Sequence, residues 1–199
     1  CYPGQEVVAR LHYLGSAKRR LFAFKADHEM QVGDSLYCST SKTAKLRGDR
    51  YKGSGIVVSK VKFKGRTLVI IKPTTFMNLS GKSIKYWLDK EKVPTKNLLV
   101  ILDDIALPMG SLRMKSKGGD AGHNGLTDII EKLGTNVFPR LRIGVGDNFP
   151  RGRQVDYVLG KWSRGEEKIM LPKIEDATSM VKSFVSIGID RTMGAFNNK

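Results

Sequence analysis

From Gly55 onward the alternation of apolar and polar positions is regular. GIVVSKVKF and TLVIIKP are rich in β-branched residues and joined by the turn residues KGR, which predicts a β-hairpin. The period then changes. After Ser80, an N-cap residue by type, Ile84, Trp87 and Leu88 recur at i, i+3 and i+4, predicting a helix to about Lys90. LLVILD (98–103) is a continuous apolar run ending in acid, as suits a buried strand. SLRMKSK alternates as a strand does, KGGDAGHNG reads as a loop, and GLTDIIEKLG as a short helix closed by Gly134. RLRIGVG is a further strand. Pro172 opens a last helix in which Ile174, Ala177, Val181, Phe184 and Val185 share one face until Gly188. Strands alternating with helices predict an α/β fold, a mixed twisted β-sheet flanked by helices, and 199 residues suit a single domain over 1–199.

The first fifty residues are atypical. Their periodicity is poor: AKRRLFAFKADHEM could form a basic helix, and GDSLYCSTSKTAKLRGDR reads as a loop rich in Ser, Thr and Lys. No repeat, low-complexity tract or second domain is evident there.

Charge changes this picture more than bulk composition does. Forty per cent apolar and 27% charged residues describe an ordinary globular protein, but 35 Lys and Arg against 19 Asp and Glu leave a net charge of +16. Such a field suits a polyanion, and nucleic acid above all, since neutralising phosphates supplies affinity and steers association. An evenly charged, merely solubilising surface is the bland alternative. An anionic membrane is less favoured, because no basic amphipathic helix stands out. Cys1 and Cys38 have no metal-like spacing, so we expect a reducing compartment, no disulfide framework and no zinc site. No apolar run approaches the roughly 20 residues of a membrane helix and no signal-peptide pattern occurs, which points to the cytoplasm.

Asp103 and Asp104 fall where a strand ends, the place at which open α/β sheets bind ligands. A carboxylate there could bind a metal, act as a base or orient an imidazole; alone, it could equally be an acidic strand cap. KGGDAGHNG surrounds His123 and Asn124 with glycines, so backbone can approach a ligand closely, although a simple flexible connection has the same composition. Asn124 also has the residue type of a helix N-cap. LSGKS imitates the end of a phosphate-binding P-loop, but Phe76 stands where that motif needs glycine. No G-x-S-x-G elbow occurs, so water is the expected attacker and a base is required. The three histidines, His12, His28 and His123, are the side chains that titrate near neutrality. Residue type does not choose among them.

PTTFMNLSGK, ILDDIALPMGSLRMKSKGGDAGHNGL, FPRLRIGVG and DYVLGKWS together closely resemble the bacterial-type peptidyl-tRNA hydrolases, from about Asp49 to the end. The resemblance implies a monomeric, cofactor-free and metal-free enzyme that hydrolyses the ester between peptide and tRNA. It also implies roles for residues. Asn78 and Asn124 match positions that hold the substrate and its attacking water, with His123 beside them. Phe76 matches a position lining the substrate site, Asp103 the carboxylate that orients the catalytic histidine, and Lys115 and Arg142 basic residues that clamp tRNA phosphate.

The base implied by the resemblance is His12, because CYPGQEVVARLHYLG keeps Pro3, Gly4, Glu6, His12 and Gly15 at the family's offsets. His28 follows on residue chemistry only. The same segment departs from the family: Tyr2 replaces an asparagine, Val7 a tyrosine, and Leu11 and Tyr13 the residues flanking the histidine, while the preceding strand is missing. An altered N-terminal segment, a divergent active enzyme, or a non-catalytic RNA-binding relative of the splicing-factor type would each give this pattern. The first is the expectation, since the rest of the chain follows the active-enzyme pattern.

Overall fold

A computed structural model describes residues 22–24, 56–73 and 75–197. Among the described residues the sheet has six strands: β1 (Phe22–Phe24), β2 (Ile56–Phe63), β3 (Arg66–Pro73), β4 (Leu99–Asp104), β5 (Leu112–Lys115) and β6 (Arg140–Gly144). Their spatial order is β2-β3-β1-β4-β6-β5. Only β4 and β6 run parallel; the other neighbours are antiparallel, so the sheet is mixed as expected. The predicted hairpin closes on Lys64 and Gly65, both at positive φ (46° and 76°), with Phe63 paired to Arg66. Two left-handed residues give the turn the twist of its strands.

Five helices complete the described residues: α1 (Ser80–Glu91), α2 (Asn124–Leu133), α3 (Gln154–Leu159), α4 (Arg164–Ile187) and α5 (Ile189–Phe196). Side-chain alternation along the strands divides the core in two. Val69, Ile71, Val100 and Leu102 meet Ile84, Trp87 and Leu88 of α1 and Leu126 and Ile129 of α2. On the opposite face Leu68, Leu99, Ile101 and Leu141 meet Met180, Val181, Phe184 and Val185 of α4, joined by Ile189 and Met193 of α5. A strand covered on both faces reads as an unbroken apolar run, which is what LLVILD is. At the β5 edge, the Asn197 amide bonds both backbone groups of Met114 (2.9 and 2.8 Å) and continues the ladder with a side chain.

Two expectations are corrected. The apolar Phe22–Phe24, placed above in a basic helix, forms a strand between β3 and β4, because pairing with two flanking strands overrides local propensity. The last long helix begins at Arg164, so Pro172 lies inside it. The Ser163 side chain caps the Glu166 amide at 3.3 Å and Glu166 returns a bond to the Ser163 amide at 2.6 Å. That capping box sets the start upstream, and the interior proline forfeits one helical hydrogen bond.

Candidate active site

β4 delivers Asp103 and Asp104 to its carboxyl end beside the parallel strand β6, so the acidic pair lies where the sheet order favours ligand binding. Asp104 is buried and tied on both oxygens: one accepts the Ala106 amide at 2.9 Å, and the other pairs with Arg142 Nε. Leu102 and Arg142 are register partners, and alternation places Asp104 beside the guanidinium one step further along. The turn after β4 folds back onto β6 because position 144 has no side chain. A Cβ on Gly144 would lie 2.0 Å from the Pro108 carbonyl oxygen.

The glycine-rich loop is built by local bonds. Gly122 donates to the Asp120 carboxylate at 2.8 Å and the His123 amide to the Asp120 carbonyl at 3.0 Å, while Ala121 and Gly122 take positive φ (50° and 76°). The tight turn ends on His123, the N-cap of α2. Its Nδ1 accepts the amides of Gly125 (3.1 Å) and Leu126 (3.2 Å), and its Nε2 lies 3.9 Å from Asp103 Oδ1. The N-cap is therefore His123, and Asn124, a candidate for that role by residue type, is the first helical residue. An imidazole nitrogen that accepts carries no proton, so the ring proton sits on Nε2, facing Asp103.

Beneath the loop, Arg140 is only 1% exposed. It donates to the carbonyls of Gly119 (2.8 Å) and Asn136 (3.0 Å), lies 4.4 Å over the Phe138 ring, and leaves Nε without a partner. Burial lowers its pKa from the usual arginine value, nearby Arg142 lowers it further, and Asp120 partly offsets both.

These parts enclose a pocket of about 450 Å³. Asp103, Lys115, His123, Asn124 and Arg142, all named from the sequence, line it together. Met77 and, from α3, Gln154, Val155 and Val158 complete its wall. Phe76 and Asn78 are not in the lining; both are exposed on the short 3-10 turn Met77–Leu79 and its approach, beside Met77. That turn packs against α2. His12 and His28 lie outside the described residues.

The turn is held in place from α2. Ser80, read above as the N-cap of α1, is its first residue and bonds the Met77 carbonyl at 2.8 Å, and Leu79 supplies no side-chain cap. The cap comes instead from Asp128 of α2, whose carboxylate accepts the Gly81 amide at 2.6 Å. The P-loop reading of LSGKS fails for the same reason: the amide a phosphate would need is occupied by a carboxylate. Among the described residues no group of His, Cys, Asp and Glu could hold a metal ion, and no helix is long and apolar enough to cross a membrane.

Sequence reasoning missed Arg140, Asp128 and the α3 wall. Arg140 left a signal, since RLR alternates and places it on the face of Arg142. Asp128 sits inside an amphipathic helix and looks like a solvated residue until α1 is laid against it. The α3 contacts depend on long-range packing and left no local signal.

Comparison with known proteins identifies the family. A family model described as Peptidyl-tRNA hydrolase matches residues 29–199. The peptidyl-tRNA hydrolase of Parabacteroides distasonis is 51% identical over 142 residues, 71% of this chain and 76% of the relative. That of Cytophaga hutchinsonii is 50% identical over 142 residues, again 71% and 76%. The crystal structure of peptidyl-tRNA hydrolase from Acinetobacter baumannii matches with a TM-score of 0.69 and 31% identity, covering 75% of this chain and 76% of that one. The family model over residues 29–199, the relatives at about half identity and the matched fold together show that the chain belongs to the peptidyl-tRNA hydrolase family.

Proposed function

We propose that the chain hydrolyses the ester bond between peptide and tRNA in peptidyl-tRNA, freeing tRNA for reuse in translation, through a water activated by His12 and Asp103. The observation that carries this reading is the Asp103 carboxylate at the β4 terminus, in a pocket shared with Lys115 and Asn124, within the span that the family covers. Ester hydrolysis needs an oriented base, a positioned water and a donor for the developing oxyanion. Neutral amides suit the last two tasks, because one asparagine both donates and accepts, and Asn124 and Asn78 are assigned to them. Phe76, with its exposed ring, is assigned to the substrate.

His123 does not suit the base. Its Nδ1 lone pair is taken by two backbone amides and its Nε2 carries the proton, so the ring would have to abandon its cap to accept another. His123 is better placed to hold the loop and to donate toward Asp103 or substrate. This leaves His12 and His28, of which His12 is the residue that the family's offsets select and is assigned as the base, with Asp103 fixing its tautomer. Lys115 and Arg142 are assigned to tRNA phosphate, Arg142 being braced for it by Asp104. The chemistry requires no metal or organic cofactor, and a cytoplasmic monomer is the simplest setting.

A non-catalytic RNA-binding relative is not favoured, since relatives at about half identity are named as hydrolases. The test is release of free tRNA from N-acylated aminoacyl-tRNA by the full chain. Turnover lost in His12→Ala supports the base; turnover unaffected by that change overturns its assignment, and RNA binding without turnover would restore the binding-only reading.

A further inference from the structure

Arg140 is the deepest charged side chain among the described residues, and nothing in the hydrolytic chemistry calls for it. Removing a guanidinium from water is costly, and a well-packed apolar side chain of similar volume is often at least as stabilising. Stability alone therefore does not account for arginine here. What arginine has that leucine or methionine lacks is a rigid planar fork able to bind two carbonyls at once.

The fork joins two separate segments to β6. One Nη bonds Gly119 O at 2.8 Å and the other Asn136 O at 3.0 Å, and Asn136 O also receives the Gly118 amide at 3.4 Å. Phe138, fully buried, supports the guanidinium face. From Gly119 the chain reaches His123 in four residues, and the Asp120 bonds to Gly122 and His123 leave the turn little freedom. The position of Gly119 is thus transmitted to the α2 N-cap, and through it to the approach of His123 Nε2 to Asp103.

We propose that Arg140 is a positioning residue for the hydrolysis: its two-carbonyl clamp sets the height of the 118–123 loop over β6, and with it the placement of His123 and Asn124 relative to Asp103. It acts through the loop and touches no reacting atom. The inference rests on the hydrolase reading for its kinetic consequence but not for its structural one.

The test uses the full chain with Arg140→Lys and Arg140→Gln. Lysine keeps the charge and loses the fork, so a phosphate-binding role would survive in it while the clamp would not. The expected result is a kcat lower by about tenfold or more on N-acylated aminoacyl-tRNA in both variants, as a slightly misplaced site gives, with KM within about threefold of the parent. Amide hydrogen exchange at Gly119, Gly122 and Gly125 should be faster in both, while exchange in the β4 amides stays as in the parent. A parental kcat and parental loop exchange in Arg140→Lys would overturn the proposal, as would a loss confined to KM. If neither variant folds, nitrogen NMR of the parent decides: separate, slowly exchanging Nη signals for Arg140 are expected, and a freely rotating guanidinium would overturn the clamp. A parent without hydrolase activity would remove the proposed function, while the exchange data would still report on the clamp.

Discussion

The Asp128 carboxylate accepts the Gly81 amide at 2.6 Å, so that helix α2 supplies the cap that helix α1 lacks. The two helices approach closely because residue 81 has no side chain: a Cβ there would lie 2.3 Å from the Asp128 carbonyl oxygen and 2.8 Å from Ile129 Cα. One bond thereby fixes the turn carrying Asn78 against the helix that starts at Asn124. Asp128→Ala should cost about 1–3 kcal/mol, because it strips a buried amide of its partner. Asp128→Asn, which keeps an acceptor, should cost less. Gly81→Ala should destabilise at least as much by forcing the helices apart. Urea denaturation of the three variants measures the order; equal stabilities would refute the trans-cap.

His123 as a cap and as a base make opposite predictions for His123→Asn. Asparagine is a strong N-cap residue, so the variant should stay within about 0.5 kcal/mol of the parent, whereas His123→Ala should lose about 1 kcal/mol. Turnover in His123→Asn should fall by less than about tenfold, while a general base would cost about 10²–10⁴. Paired thermal melts and hydrolysis rates separate the two roles.

Gly125 keeps a space that the site uses. A Cβ there would lie 2.6 Å from Met77 Sδ and 2.9 Å from His123 Cε1. Gly125→Ala should therefore push the imidazole from Asp103 and cut kcat by up to about tenfold, the ceiling set by losing the imidazole altogether in His123→Asn. Adding Met77→Ala relieves one of the two contacts, and the double variant should recover part of the loss. Additive effects in that cycle would show that the contacts are independent.

Much of this was legible in the chain. β-rich and alternating runs, with the continuous apolar run LLVILD, located five of the six strands, the i, i+3, i+4 spacing of Ile84, Trp87 and Leu88 located α1, and Gly134 ended α2 at φ 66° as a left-handed C-cap. Asp103, Lys115, His123, Asn124 and Arg142 were all singled out and all meet in one pocket. What the sequence concealed depends on distant partners. Phe22–Phe24 is too short to show a period and is a strand only because β3 and β4 leave a place for it. Asp128 and Arg140 act on backbone groups 47 and 21 residues away, and such bonds have no local signature. Pro172 was misleading because proline suits a helix start, yet the Ser163 and Glu166 box was written nine residues earlier.

With a charge of +16, tRNA binding should weaken steeply with salt. Lys115 lines the pocket at the end of β5, and Lys115→Gln should make the slope of log affinity against log salt shallower by about 0.7–0.9, the share of one phosphate contact. Filter binding over a salt series measures the change. An unchanged slope would remove Lys115 from the phosphate contacts.

The account as a whole depends on Asp103 as the carboxylate that orients the base. The most direct measurement is single-turnover release of tRNA from N-acylated aminoacyl-tRNA by the parent and by Asp103→Asn, a change that keeps size and shape and removes charge. The account predicts turnover by the parent and a loss of about 10²-fold or more in the variant, with tRNA affinity and thermal stability retained. Parental rates in Asp103→Asn would contradict it.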